Sequence, residues 1–444
     1  MQIQLSDHFN YSRLIRFTLP TIGMQIFSSL YYIVDGFFVS NYAGKTAFAS
    51  VNFIMPFIMI MGTVGYMFGT GGSALVAKYL GQGNHEKANS LFTLFTWLAL
   101  IVGTVFTTIG FIFMPQVARF LGAEGQMLDD CVLYGRVVII GLPPYILQWL
   151  FQCFTIVAER PKLGFYFTLG AGITNMVLDW LFIGIFDWGL VGAALATNLG
   201  EVVGGFGPII FFMSKKNTSL LRLGKTVWDG QGVVKALTNG ASEMVGSISS
   251  SLVGMLYNAQ LLAYAGEDGV AAYGVIMYVS YIFAGVFFGY AIGVGPVVSF
   301  NYGAETHKEL QNVFKRSLKL IAVTAAVLIG LAELSAPLLA SIFVGYDQAL
   351  LEFTIHAFRT YVLCYIFMGF AAYASSFFTA LNNGFVSALI SFLRTLVFQV
   401  IAVIALPLMF GVDGIWYSVI VAEFMALVVS VVLLVWKRNQ YHYW

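Results

Sequence analysis

Two aspartates stand inside apolar runs of a chain that keeps most of its charge out of them: Asp35 in "YYIVDGFFVSNYAG" and Asp179 in "NMVLDWLFIGIF". A charged side chain in hydrocarbon costs about 2.5–3.5 kcal/mol on insertion scales, so such groups are rare and usually serve ion or substrate movement. Asn175 precedes Asp179 by four residues, which sets amide and carboxylate on one helical face. Carboxylate and amide oxygens suit a hard cation such as Na⁺. Two neighbouring carboxylates can instead hold a proton. The residues alone leave both chemistries open. The competing reading is structural: a buried partner of a cation, or a helix-end residue among headgroups.

Glu201, Glu243 and Glu423 also fall within apolar runs, with Glu333 nearer a helix end. Glu243 sits in the Ser-rich "NGASEMVGSISSSLVG", a composition that fits close helix packing or a wet cavity wall. Glu201 and Glu423 lie near the middle of their runs and share one repeat position, which favours a common structural role beside a cavity-lining one. All three are candidate substrate-cavity residues. Arg136 and Arg359 are expected to snorkel to an interface, and Arg394 to snorkel or to answer an acid. Pro20, fifteen residues before Asp35, removes a backbone bond and permits a bend that could couple ion binding to a cavity change. A silent proline in the first turns of a helix is the alternative.

The elements that must carry these groups are membrane helices. With 59% hydrophobic and 10% charged residues and a mean hydropathy of +0.84, the chain departs from the roughly 25% charge of soluble domains. Twelve apolar runs are long enough to span: about 13–38, 48–77, 91–115, 131–157, 162–186, 189–213, 236–265, 270–300, 314–344, 353–381, 384–410 and 412–436. Backbone in lipid must bond to itself, which predicts an all-α membrane bundle. With the termini and even-numbered loops on one side, 17 of the 22 basic residues fall there, so the positive-inside rule sets both termini in the cytoplasm. The polar "MQIQLSDHFNYSRLIRF" runs straight into a full span, so no cleavable signal peptide is expected. Cys131, Cys153 and Cys364 have no metal spacing and read as packing residues.

The chain is also written twice. A shift of 222 matches Pro115 to Pro337, Ala158 to Ala380, Gly189 to Gly411, Gly192 to Gly414 and Glu201 to Glu423. A shift of 223 matches Arg136 to Arg359, and one of 224 matches "GYMFGTGG" to "GYAIGVGP". Two six-helix lobes follow, residues 1–222 and 229–444, joined by a linker at 223–228 within a longer 214–235 loop. Six is even, so the lobes should be related by a pseudo-two-fold along the membrane normal, with a substrate site between them and alternating access by rocking. "GYMFGTGGSALVAK" lacks the Gly-Lys-Ser/Thr ending of a phosphate loop, and no catalytic motif is evident, so neither an enzyme nor an ATP-driven pump is expected. Nothing points to nucleic acid or to an obligatory protein partner.

"LPTIGMQIFSSLYYIVDGFFVSNYAG", "GTGGSALVAKYLGQGNHEKA", "NMVLDWLFIGIFDWGLVGAALAT", "FNYGAETHKE" and "SFLRTLVFQVIAVIALPLMFGVDGIWYSVIVAE" together resemble the multidrug and toxic compound extrusion (MATE) family, over nearly the whole chain. The branch with an acid in helix 1 implies a cation site at Asp35, Asn175, Asp179, Thr197 and Tyr134, with candidate Na⁺ ligands in Asp35, Asn175 and Asp179, and a bend at Pro20. The branch with acids in helices 7 and 10 is matched poorly: Glu352 only borders helix 10, and Glu243 comes early in helix 7. Trp180 stands where the family often has proline after the helix 5 Asp, which should alter the local helix. The resemblance implies a multidrug antiporter of a prokaryotic cytoplasmic membrane. It would export organic cations or amphipathic drugs against H⁺ or Na⁺, with no cofactor besides the coupling ion. A lipid-linked sugar flippase of the same superfamily is the nearest alternative, though its pyrophosphate would call for cationic groups and the interior holds more acids than bases. A receptor or scaffold without transport is the alternative of another class.

Overall fold

The computed structural model describes residues 3–43 and 45–444, apart from the side chains at 43, 45, 46 and 48; Lys45, counted above among the basic residues, falls outside that description. Helices dominate. We number the spans α1 (Tyr11–Tyr42), α2 (Ala49–Gly81), α3 (His85–Leu121), α4 (Gly125–Ile139 with Leu142–Val157), α5 (Pro161–Ile185) and α6 (Gly189–Met213). The stretch Gly230–Gly303 gives α7 (230–265) and α8 (267–303), followed by α9 (His307–Val344), α10 (Gln348–Ala380), α11 (Gly384–Phe410) and α12 (Val412–Tyr441). Gly266 separates α7 from α8 with φ 64° and ψ −151°, a conformation that L side chains rarely adopt. The chain reverses there: Tyr257 and Tyr273 stack with ring centroids 5.6 Å apart, whereas sixteen residues of straight helix would separate them by about 24 Å.

The spans fall into two six-helix bundles, each around its own apolar core. One core runs through α2–α4 and α6 and the other through α7–α12. The backbone repeats with the sequence. Left-handed residues occur in pairs about 222 apart at the loops: Gly83 with Glu305, Glu159 with Asn382, and Gly189 with Gly411. Side chains at the helix starts satisfy free N–H groups in the same way in both bundles, Asn84 accepting from Lys87 and Asn383 from Val386. Several spans differ from expectation, α3 reaching six residues further at each end and α9 starting seven residues earlier. α1 and α12 run several residues further, to Tyr42 and Tyr441, and α4 bends by 54° where Gly141 precedes Pro143 and Pro144.

The glycine-rich blocks that repeat in the sequence lie where the bundles meet. On the end of the molecule that holds both termini, here the basic end, a Cβ on Gly289 would come within 2.5 Å of the Ile22 Cα, and one on Gly303 within 2.1 Å of the Lys78 carbonyl. Gly71 and Gly240 likewise lie against backbone of the other bundle, at Ala236 and Met67. Lys78 lies over the Tyr302 ring, 5.1 Å from its centroid. Asn239 donates to Gly71 (3.4 Å) and Asn382 to Ala74 (3.4 Å) across the seam. The first residues reinforce it. Leu5 and Phe9 are fully buried in the second core; the Leu5 N–H donates to Glu159 of the first bundle (2.7 Å), and the Phe9 N–H to Glu309 of the second (2.8 Å).

The linker is fixed to α3: the Arg222 N–H donates to Asn89 (2.6 Å), Thr226 donates to the Ser90 carbonyl (2.7 Å), and Lys87 pairs with Asp229. The Lys87 ammonium holds the Asp229 carboxyl below the usual carboxylate range. In the second bundle, Arg394 Nε donates to both Glu423 oxygens at 3.0 and 2.8 Å, a buried ion pair.

Two outcomes follow from these contacts. Breaking one side of the buried pair with Glu423→Gln should destabilise the protein by about 3–5 kcal/mol, whereas Arg394→Met with Glu423→Leu should lose much less; thermal melts in detergent compare them. A wedge at the seam, Gly289→Leu, should cut cross-linking of a Lys78→Cys/Tyr302→Cys pair by a short bifunctional thiol reagent several-fold, the three native cysteines being buried.

Candidate functional site

Asp35 and Asp179 meet inside the first bundle. Asp35 lies seven residues before the end of α1 and Asp179 six before the end of α5, which puts them within about 1.5 Å of one another in depth. Asp35 is therefore well inside its helix, and the helix-end reading of this residue falls away. It gains that depth because α1 continues beyond Phe38 as a π-helical turn, Val39–Ala43. α5 does the same: Trp180–Ile185 is π-helical and begins at the residue where a proline was expected. A π turn leaves the regular backbone pattern and recurs at functional sites. Here one follows each aspartate within five residues.

The Asp35 carboxylate stands against the side chains of Asp179, Asn175 and Thr197. Asn175 Nδ2 donates to Thr197 Oγ1 at 3.5 Å, joining α5 to α6. Tyr134 of α4 is buried close to both aspartates, its hydroxyl directed to Met55 Sδ at 3.7 Å. Asp179 is 0% exposed and Asn175 2%. The polar balance of this cluster is one-sided. Asp35 Oδ1, both Asp179 oxygens and Asn175 Oδ1 are buried without a hydrogen-bond donor. Neither aspartate takes part in an ion pair among the described residues. Four oxygens with no donor, two of them on one carboxylate, need a proton or a cation to be stable in an apolar interior.

The candidate cavity acids part company. Glu201 lies one turn below Thr197 within the first bundle, against Tyr31 and beside a small cavity of about 30 Å³ that Tyr32, Tyr145 and Asn198 help to line. Tyr31 and Tyr32 stack at 4.5 Å. Glu243 alone lies between the bundles, near Thr70 of the α2 π turn, where the remaining space is also only about 30 Å³. Glu423 is taken by Arg394, and the exposed Arg359 pairs with Glu333 at 3.4 Å. Pro20 lies inside α1 and provides no N–H for the Arg16 carbonyl. Sequence reasoning passed over the Tyr31, Tyr32 and Tyr145 wall. Its only trace there is a pair of adjacent tyrosines one turn before Asp35.

The MatE family profile matches residues 20–181 and 244–404, once in each bundle. The multidrug export protein MepA of Staphylococcus saprophyticus is 22% identical over 430 residues, covering 97% of this chain and 94% of that protein. Among solved structures, a MATE protein in complex with MaL6 superposes with a TM-score of 0.89 at 23% identity, over 96% of this chain and 95% of that one. An outward-facing multidrug resistance MATE transporter of the MOP superfamily has the same TM-score at 22% identity, with the same coverage. With the profile matched in both bundles, the twelve-helix fold shared and the paired acids held within the first bundle, this multi-pass membrane protein belongs to the MatE family.

Proposed function

We propose that the chain is a secondary active multidrug exporter that moves organic cations or amphipathic drugs out of the cell in exchange for H⁺ or Na⁺. The relatives named above as multidrug export and multidrug resistance proteins support the cargo class. The observation that carries the coupling is the set of four donorless oxygens on Asp35, Asp179 and Asn175. A proton on one carboxylate would make it a donor to the other, and Na⁺ would take the same oxygens as ligands. Either ion removes the repulsion between the two acids and draws α1 towards α5.

Helix α1 connects that event to the transport path. Its Asp35 end belongs to the ion cluster. Its other end, from Thr18 to Gln25, packs against Gly285, Gly289 and Gly293 of α8 in the opposite bundle. Pro20 lies in that second segment and gives it freedom to bend. Ion loading at one end thus biases the seam at the other, whose basic end is closed and leaves Glu243 in a nearly filled space. Charge placement supports cytoplasmic termini, so the far side is the exterior and the ion enters from there.

Proteoliposomes loaded with a fluorescent organic cation test this reading. Export should follow an imposed pH or Na⁺ gradient, and Asp35→Asn or Asp179→Asn should reduce the gradient-driven part by roughly tenfold or more while the protein stays folded. Unchanged export in both variants would remove the coupling mechanism. For the orientation, a cysteine placed at Lys225 should be labelled by an impermeant thiol reagent only in inside-out vesicles.

A further inference from the structure

A cavity of about 860 Å³ opens on the outer wall of the first bundle at the basic end, between the start of α1, the start of α5 and the end of α6. It is separate from the ion cluster and borders the seam through Glu159 and the α1 segment that holds Pro20. Along each helix the wall passes from basic to apolar: Arg16 precedes Leu19 on α1 and Lys162 precedes Tyr166 on α5, with Arg160 just before α5 and Phe211 near the end of α6. Leu19 is 59% exposed and Tyr166 63%, so these side chains point outward at a depth where the surroundings are acyl chains. Arg16 to Leu19 and Lys162 to Tyr166 each cover about one helical turn, near 5 Å. Basic to apolar over one turn is the change that a bilayer makes between headgroup and hydrocarbon.

Arg160 carries the sharper sign. Its Nη2 donates to Thr218 Oγ1 at 2.8 Å, which fixes the guanidinium, while its Nε is buried with no partner. A guanidinium on a cavity wall with an N–H left unpartnered suits an oxyanion. One carboxylate shares the wall, Glu159, and it already accepts the Leu5 N–H at 2.7 Å; burial pushes its carboxyl above the usual range. Three cations against one carboxylate leave the wall positive. An organic cation would be repelled, and a dissolved phosphate would leave the apolar half of the cavity unused.

We infer that this cavity is a binding site for one anionic phospholipid of the adjoining leaflet, its phosphate held by Arg16, Arg160 and Lys162 and its acyl chains lying along Leu19, Tyr166 and Phe211. Basic pockets between membrane helices recognise anionic headgroups in this manner. Pro20 also lines the cavity, so the bound lipid sits against the segment of α1 that has to bend.

Native mass spectrometry of the full-length protein with phosphatidylglycerol or phosphatidylcholine tests the site. The protein should hold one phosphatidylglycerol about tenfold more tightly than phosphatidylcholine. That preference should vanish in Arg160→Gln/Lys162→Gln and survive in Lys308→Gln/Lys319→Gln, which removes two charges from the same end of the other bundle. Equal binding of the two lipids by the native protein would overturn the inference. So would a preference that survives in the first double variant, or displacement of the lipid by millimolar inorganic phosphate, which would mark a site for a soluble anion. A second measurement keeps the native arginines: in Tyr166→Trp protein, brominated phosphatidylglycerol should add more quenching than brominated phosphatidylcholine, and equal quenching would contradict the site.

Discussion

The fold turns on one helix that serves two masters. α1 gives Asp35 to a buried cluster of oxygen acceptors and gives its other half to the seam with α8. The two regions lie about four turns apart on one rigid element, with Pro20 in the seam segment as its one missing backbone donor. One element thus joins the cluster to the packing between the bundles without a chain of intervening side chains. The helix is thus held at both ends, and its weak point lies within the end that meets the opposite bundle.

The bundles are repeats, but their polar interiors have been resolved differently. Glu423 is neutralised by Arg394, and Tyr257, the position 222 residues after Asp35, donates to Gln399 at 2.7 Å. At both of these positions the second bundle supplies a partner from within itself. Its repeat partner keeps Glu201 Oε2, Asp35 Oδ1 and both Asp179 oxygens without donors. Unsatisfied buried carboxylates destabilise a fold, and among the described residues those without a donor lie in the first bundle, where a small cation could take them as ligands. The seam follows another logic. It depends on close backbone approach, which is why glycine recurs at 71, 240, 289 and 303, where a methyl group would collide with the opposite bundle.

Most of the architecture could be read from the residues. Length and continuity of the apolar runs identified twelve helices, and the 222-residue offset identified two bundles, because both signals survive without knowledge of packing. The spacing of Asn175 and Asp179 placed them on one face. What escaped depends on geometry between elements. The π turns after Asp35 and Asp179 have no periodicity signature, since one extra residue in a turn leaves an apolar run unchanged. The burial of Leu5 and Phe9 was hidden in a short polar segment, where two apolar residues four apart are too few to stand out. Which acid Arg394 would answer could not be settled by sequence distance, because Glu423 lies on another helix 29 residues away.

The central claim is that the Asp35–Asp179 pair takes up a proton or a cation. Difference infrared spectroscopy of the purified protein reads it most directly, since a protonated carboxyl in an apolar site has its own carbonyl stretch. A carboxyl band should change when pH or Na⁺ is varied, and the change should be lost in Asp35→Asn and Asp179→Asn proteins. A native spectrum that does not respond to either ion, or a response that persists in both variants, would contradict the account.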